Sequence, residues 1–151
     1  MVAMKAERRD SGMVSIVCTL TSTPENVRTA LADIARSLAD SPCPPQPGEM
    51  WEVAMAEVLN NIVEHAYEQE PDGKIRVEID FDHDRIRADI TDFGRPMPGG
   101  VPPEGAPADL DVPTEHLPEG GFGWFLIRSL AEQLDYRQEN GANRLRIVLP
   151  R

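Results

Sequence analysis

Three short stretches carry residue types at spacings that could do chemistry. In "EVLNNIVEHAY", Glu57, Asn61 and His65 stand four residues apart and so share one face of a helix, with Asn60 and Glu64 flanking them and Val53, Val58, Leu59, Ile62 and Val63 marking apolar surroundings. An Asn side chain can give Mg²⁺ one oxygen while phosphates and water supply the rest, and a Glu beside it can orient or deprotonate a nucleophile. That pair suits phosphoryl transfer. A solvated polar stripe on an amphipathic helix has the same spacing, and His65 reads as structural or at the edge of such a site.

In "DFGRPMP", Asp92 to Pro98, a carboxylate at a strand end can accept the exocyclic amine of adenine, and Gly94 would let a base lie against the backbone. An Asp-x-Gly turn after a strand is the plainer alternative. The Asp-Phe-Gly triplet is also found in protein kinases, but the strand Lys and the His-Arg-Asp loop that accompany it there are missing. In "EGGFGWFLIRSLAEQLDY", Gly120, Gly121 and Gly123 open the backbone where an apolar helix begins. A helix start presents free N–H groups and the positive end of the macrodipole, and glycines let a phosphate oxygen approach it. A flexible helix entry without a ligand would look the same.

The elements that must position these stretches follow from periodicity. Val14, Ile16, Cys18 and Leu20 alternate as a first strand; a helix then opens with Thr23 as its N-cap and Pro24 at its first position, and stops at the connector "SPCPPQPG". A second helix, apolar around most of its girth, runs from Glu49 to about Glu68. Two alternating segments, Ile75/Val77/Ile79 and Ile86/Ala88/Ile90, form a hairpin turned at Asp82–Asp84. Residues 95–119 break every periodicity and hold seven of the fourteen prolines, as a lid, a binding loop or a disordered segment does. The glycine-started helix follows, then a hairpin of about Leu134–Gln138 and Arg144–Leu149 turned at "ENGAN". The expectation is a single α/β (α+β) domain over 1–151, a two-layer sandwich whose antiparallel or mixed sheet is covered on one face by helices.

Composition narrows the partners. The 151 residues carry 15 Lys and Arg against 26 Asp and Glu, a net charge of -11, which repels phosphate backbones and anionic membranes and favours a protein or nucleotide partner. No apolar run reaches the roughly 20 residues of a membrane helix, and "MVAMKAERRD" lacks a secretory stretch, so a cytoplasmic protein is expected. Cys18 and Cys43 suggest neither a disulfide framework nor a zinc site and read as packing residues.

Taken in order, Glu-x-x-x-Asn on a helix, Asp-x-Gly at a strand end, a proline-rich lid and Gly-Gly-x-Gly opening a helix resemble the ATP-binding fold shared by gyrase B, histidine kinases and mismatch-repair ATPases. Within it, "MAEVLNNIVEHAY" and "GGFGWFLIRSLAEQLDY" resemble the bacterial anti-sigma-factor serine kinases, over about Met13 to Leu149. The resemblance implies ATP and Mg²⁺ as cofactors, Glu57 as catalytic base, Asn61 as Mg²⁺ ligand and Asp92 as adenine anchor. Gly94 would complete the base pocket, and Gly120, Gly121 and Gly123 would serve the lid hinge and phosphates. It implies a STAS-domain anti-anti-sigma protein as the serine substrate and a sigma factor as second partner. A homodimer is compatible with it, because similar kinases are dimers. Where many relatives place a hydroxyl after the glycine of the final turn, this chain has Ala142, a departure that would remove one adenine contact and bear on affinity rather than on the site. An ATP-binding anti-sigma factor or adaptor without kinase activity is the alternative; a histidine-kinase catalytic domain and an α/β domain without a nucleotide rank below it.

Overall fold

The computed structural model describes residues 1–8, 13–39, 50–104 and 122–150. The chain forms β1 (Val2–Arg8), β2 (Val14–Thr21), α1 (Pro24–Ala39), α2 (Met50–Asn61), a π-helical turn (Ile62–Ala66), β3 (Lys74–Phe81), β4 (Arg85–Asp92), a 3-10 turn (Pro98–Gly100), α3 (Phe122–Leu130), β5 (Gln133–Glu139) and β6 (Ala142–Pro150). The six strands make one sheet in the order β1-β2-β3-β4-β6-β5, with every neighbouring pair antiparallel.

Alternation decides which face is covered. Val14, Ile16, Cys18 and Leu20 on β2, Ile75, Val77, Ile79 and Phe81 on β3, Ile86, Ala88 and Ile90 on β4, and Leu145, Ile147 and Leu149 on β6 are all buried. Against them lie Val27, Ala30, Ile34 and Leu38 of α1, Trp51, Ala54, Met55, Val58 and Leu59 of α2, and Trp124 and Ile127 of α3. The rings of Trp51 and Phe81 meet edge to face with centroids 5.5 Å apart. The opposite face carries ion pairs such as Arg87 with Asp80 and Arg146 with Asp89. This is the expected two-layer α+β sandwich.

The local signals hold where they are chemical. Thr23 Oγ1 accepts from Asn26 N at 3.1 Å, capping α1, and Asp82 Oδ1 accepts from His83 N at 2.7 Å in the β3–β4 turn. The last hairpin turns on Asn140 (φ 52) and Gly141 (φ 81), two left-handed residues that match strand twist.

Two elements differ from the sequence expectation. Val14–Thr21 is the second strand, since β1 precedes it and pairs with it as an edge. That edge was hard to see because Lys5, Glu7 and Arg8 interrupt its pattern, and among its described side chains only Val2 and Met4 are partly buried. The long central helix is α-helical only to Asn61 and then widens into the π turn. Among the described residues no helix is long and apolar enough to cross a membrane. Cys18 is fully buried, and burial pushes its thiol up to about 11, as suits a packing residue; Cys43 lies outside the described residues.

Candidate nucleotide-binding site

Asp92 is on the core side of the sheet because it continues the row Ile86, Ala88, Ile90 by one more step of two. The row runs out at the end of β4, so a carboxylate sits where the hydrophobic layer stops, only 6% exposed. Asn143 reaches the same place on β6, as the next step of the row Leu149, Ile147, Leu145, and it pairs directly with Asp92. Its Nδ2 donates to Asp92 Oδ1 at 2.9 Å and to Gly94 O at 2.9 Å. Both neighbours are acceptors there, so the amide nitrogen must face them. Gly94 N also donates to Asp92 Oδ1, at 2.9 Å.

Among the described residues Asp92 Oδ2 has no hydrogen-bond partner, although the residue lines a cleft of about 330 Å³. Burial raises the Asp92 carboxyl above the ordinary aspartate value, and the bonds from Asn143 and Gly94 pull it back only in part. A buried carboxylate with one oxygen free toward a cleft can accept a hydrogen bond from an amine on a flat, largely apolar ligand.

The facing wall is the end of the central helix. Asn61, Ile62, His65 and Ala66 line the cleft with Asp92; Arg95, Pro96, Met97, Pro98, Pro103 and Tyr136 complete it. The π turn shapes this wall. Tyr67 N donates to Ile62 O, five residues back, at 3.0 Å, and Ala66 O is left to accept Arg95 N at 2.7 Å. This is what requires glycine at 94. A Cβ there would meet Ala66 O at 2.4 Å and Ala66 C at 2.6 Å, so the missing side chain permits contact with the helix end.

The structure therefore brings together Asn61 and Asp92 across one cleft, with Gly94 holding strand end to helix end. Glu57 lies one turn before Asn61, half-buried and outside the cleft lining. Gly123 falls in the first turn of α3, while Gly120 and Gly121 lie outside the described residues. So do residues 105–119 of the proline-rich stretch. Its described part is tied down. Met97 N donates to Tyr136 Oη at 2.9 Å, and Arg128 Nε of α3 donates to Pro103 O at 2.7 Å.

Sequence reasoning missed Asn143, Tyr136 and Met97 as parts of the site and placed His65 only at its edge. Asn143 had a findable signal, a polar residue in step with Leu145, Ile147 and Leu149 on a core-facing row. Its amide holds Asp92 although Ala142, its neighbour, is a buried methyl. Tyr136 and Met97 had none, since 39 residues separate them. Among the described residues no group of three or more His, Cys, Asp or Glu could hold a metal, so a cation here would need oxygens from its ligand and from Asn61.

Residues 20–149 match the family described as the histidine kinase-like ATPase domain. The chain is also similar to the serine-protein kinases RsbW of Bacillus cereus, Bacillus thuringiensis subsp. konkukian and Bacillus mycoides, each 31% identical over 94 residues, which is 62% of this chain and 58% of the relative. The chain thus spans less than two thirds of the length of these curated relatives. A layer of helices on an antiparallel sheet agrees with a family match that covers residues 20–149 of the 151: the chain belongs to the histidine kinase-like ATPase domain family.

Proposed function

We propose that this protein is an ATP-dependent protein serine kinase and anti-sigma factor, which phosphorylates a serine of a STAS-domain anti-anti-sigma partner and sequesters a sigma factor in transcription regulation. The observation that carries the nucleotide part is the convergence of Asp92 and Asn61 on one cleft. The serine-kinase part rests on the similarity to proteins named serine-protein kinases.

In this reading Asp92 Oδ2 accepts the exocyclic amine of adenine, while Ile62, Ala66 and Met97 give the base apolar walls. Asn61 offers one side-chain oxygen toward the triphosphate, enough for a Mg²⁺ whose other ligands are phosphate oxygens and water. The bound ion would neutralise phosphate charge, which an acidic chain of net charge -11 otherwise repels. Glu57 takes the proton from the attacking serine hydroxyl of the partner. Gly120, Gly121 and Gly123 offer the phosphates backbone N–H groups where the chain enters α3, and the lid of residues 95–119, anchored at Met97 and Pro103, covers them. The protein works in the cytoplasm, where such partners reside, and a homodimer is compatible with this reading.

A second reading is favoured by one specific observation. Glu57 does not line the cleft, as a binder without transfer activity would allow. Single-turnover transfer from labelled ATP to the STAS proteins encoded nearby decides between them: the kinase labels one of them, and a pure ATP-binding anti-sigma adaptor labels none. Calorimetry on Asn61→Ala should show weakened Mg-ATP binding, and equal affinity in the folded variant would remove Asn61 from the metal site.

A further inference from the structure

The segment that would read the base is held from two sides, and one of the holders lies on neither Asp92's strand nor its sheet partner. Tyr67 follows the π turn, and its ring lies over Gly73, where a Cβ would meet the ring at 2.5 Å. Its hydroxyl donates to Lys74 O at the start of β3, at 2.6 Å, and accepts from Phe93 N at 2.8 Å. A phenol has one proton, so the direction of both bonds is set: the proton goes to the carbonyl and the lone pair to the amide. The ring's seat is fixed in turn by Ser22, whose hydroxyl accepts from Gly73 N at 2.9 Å and donates to Glu70 O.

Around Asp92–Gly94 the polar groups are then taken one by one. Asp92 Oδ1 is held by Asn143 and Gly94, Gly94 O by Asn143, Phe93 N by Tyr67, and Arg95 N by Ala66. The Phe93 side chain itself is 58% exposed, so packing does not hold this residue; the backbone bond to Tyr67 does.

We propose that Tyr67 is a positioning residue for base selection: its hydroxyl, bridging Lys74 O and Phe93 N, fixes the peptide after Asp92 and so aims the free carboxylate oxygen into the cleft, while Asn143 fixes the same segment from β6. The inference rests on the reading of Asp92 as acceptor for an exocyclic amine. A carboxylate held in place before the ligand arrives loses less freedom on binding than one that must be ordered by it.

The test compares ATP with inosine triphosphate, which lacks the exocyclic amine, by calorimetry with Mg²⁺ on the full chain. The wild type should bind ATP more tightly. Tyr67→Phe keeps the ring over Gly73 and loses both hydrogen bonds, so its ATP affinity should fall about three- to tenfold, the usual net worth of such bonds. Its affinity for inosine triphosphate should stay the same, so the ratio of the two falls. Asn143→Ala should lower the ratio in the same direction, and it supplies the measurement if Tyr67→Phe does not fold. A ratio equal to wild type in the folded variants, with both affinities or only the melting temperature lowered, would mean that the contacts merely hold the fold and would overturn the proposal. A wild type that binds both nucleotides equally would overturn the role of Asp92, and the inference with it, a result distinct from a preserved preference in the variants.

Discussion

The two walls of the cleft are built by opposite means. On the sheet side Asp92 is 6% exposed and its Oδ1 receives two hydrogen bonds, one from a strand partner and one from its own turn. On the helix side Asn61, and Glu57 one turn before it and outside the lining, are half-buried, project from regular α-helix and make no side-chain hydrogen bond among the described residues. One wall is therefore ordered in advance, and the other has side chains whose polar ends await a partner. The physical difference is what the backbone leaves to be satisfied: a strand end exposes N–H and C=O groups that must be paired locally, whereas α2 already bonds its own backbone. Rigid recognition at the first wall and ligand-completed chemistry at the second is the division of labour this suggests.

A change on the helix just before its wall residue Asn61 should have the largest effect on turnover. Glu57→Gln keeps size and a polar tip, so Mg-ATP and partner binding should persist while phosphate transfer in single-turnover assays falls about 10²–10⁴-fold, as on loss of a general base. Unchanged transfer would mean that Glu57 belongs to a solvated stripe.

Breaking the sheet wall should act on binding instead. Asp92→Asn replaces a charged acceptor and should weaken ATP about ten- to a hundredfold, the range for a hydrogen bond to a charged group. The same residue predicts opposite pH trends for stability and binding. Its folded carboxyl titrates above the usual 3.8, so the folded state holds a proton that the unfolded chain has already released. Its contribution to stability is present below 3.8 and is lost as pH rises through the folded value. ATP affinity should move the other way, improving as the carboxylate forms. Melting curves and calorimetry across acid pH, with Asp92→Asn as the flat reference, measure both; parallel trends would count against Asp92 as the acceptor.

Gly94→Ala probes the seam between the walls. The added methyl must displace Ala66 O, a backbone atom 2.4 Å from its ideal position, so thermal unfolding should report a loss of ~1–3 kcal/mol. A neutral substitution would show that the helix end can retreat. The smallest effect is expected on the far face of the sheet. Arg146 and Asp89 pair at 2.7 Å, yet both are substantially exposed, and Arg146→Met should change stability by less than about 1 kcal/mol in a chemical denaturation series. A larger change would mean that the open face contributes more than its exposure implies.

What could be read in the sequence was whatever a single element expresses by itself. Thr23 and Pro24 mark the start of α1, Asn140-Gly141 the final turn, and the step of two along Ile86, Ala88, Ile90 the covered face, because capping, left-handed backbone and side-chain alternation are local consequences of covalent geometry. The spacing of Glu57 and Asn61 and the position of Asp92 after a strand were legible for the same reason, and Asn61 and Asp92 do meet in one cleft. Edge strand β1 was not, since an edge needs only a weak pattern when its partner β2 carries the core. The π turn after Asn61 was not either, because nothing in "IVEHA" distinguishes it from continued α-helix; its carbonyl at Ala66 finds its partner in Arg95 N, 29 residues later. Gly94 shows the division most clearly. Its type suggested a close approach to the backbone, and only the tertiary structure revealed that Ala66 makes such an approach. Asn143 holding Asp92 across 51 residues, and Tyr67 holding Phe93 across 26, were likewise decided by the folded chain, because hydrogen bonds between distant groups depend on strand order and helix placement that no single segment contains.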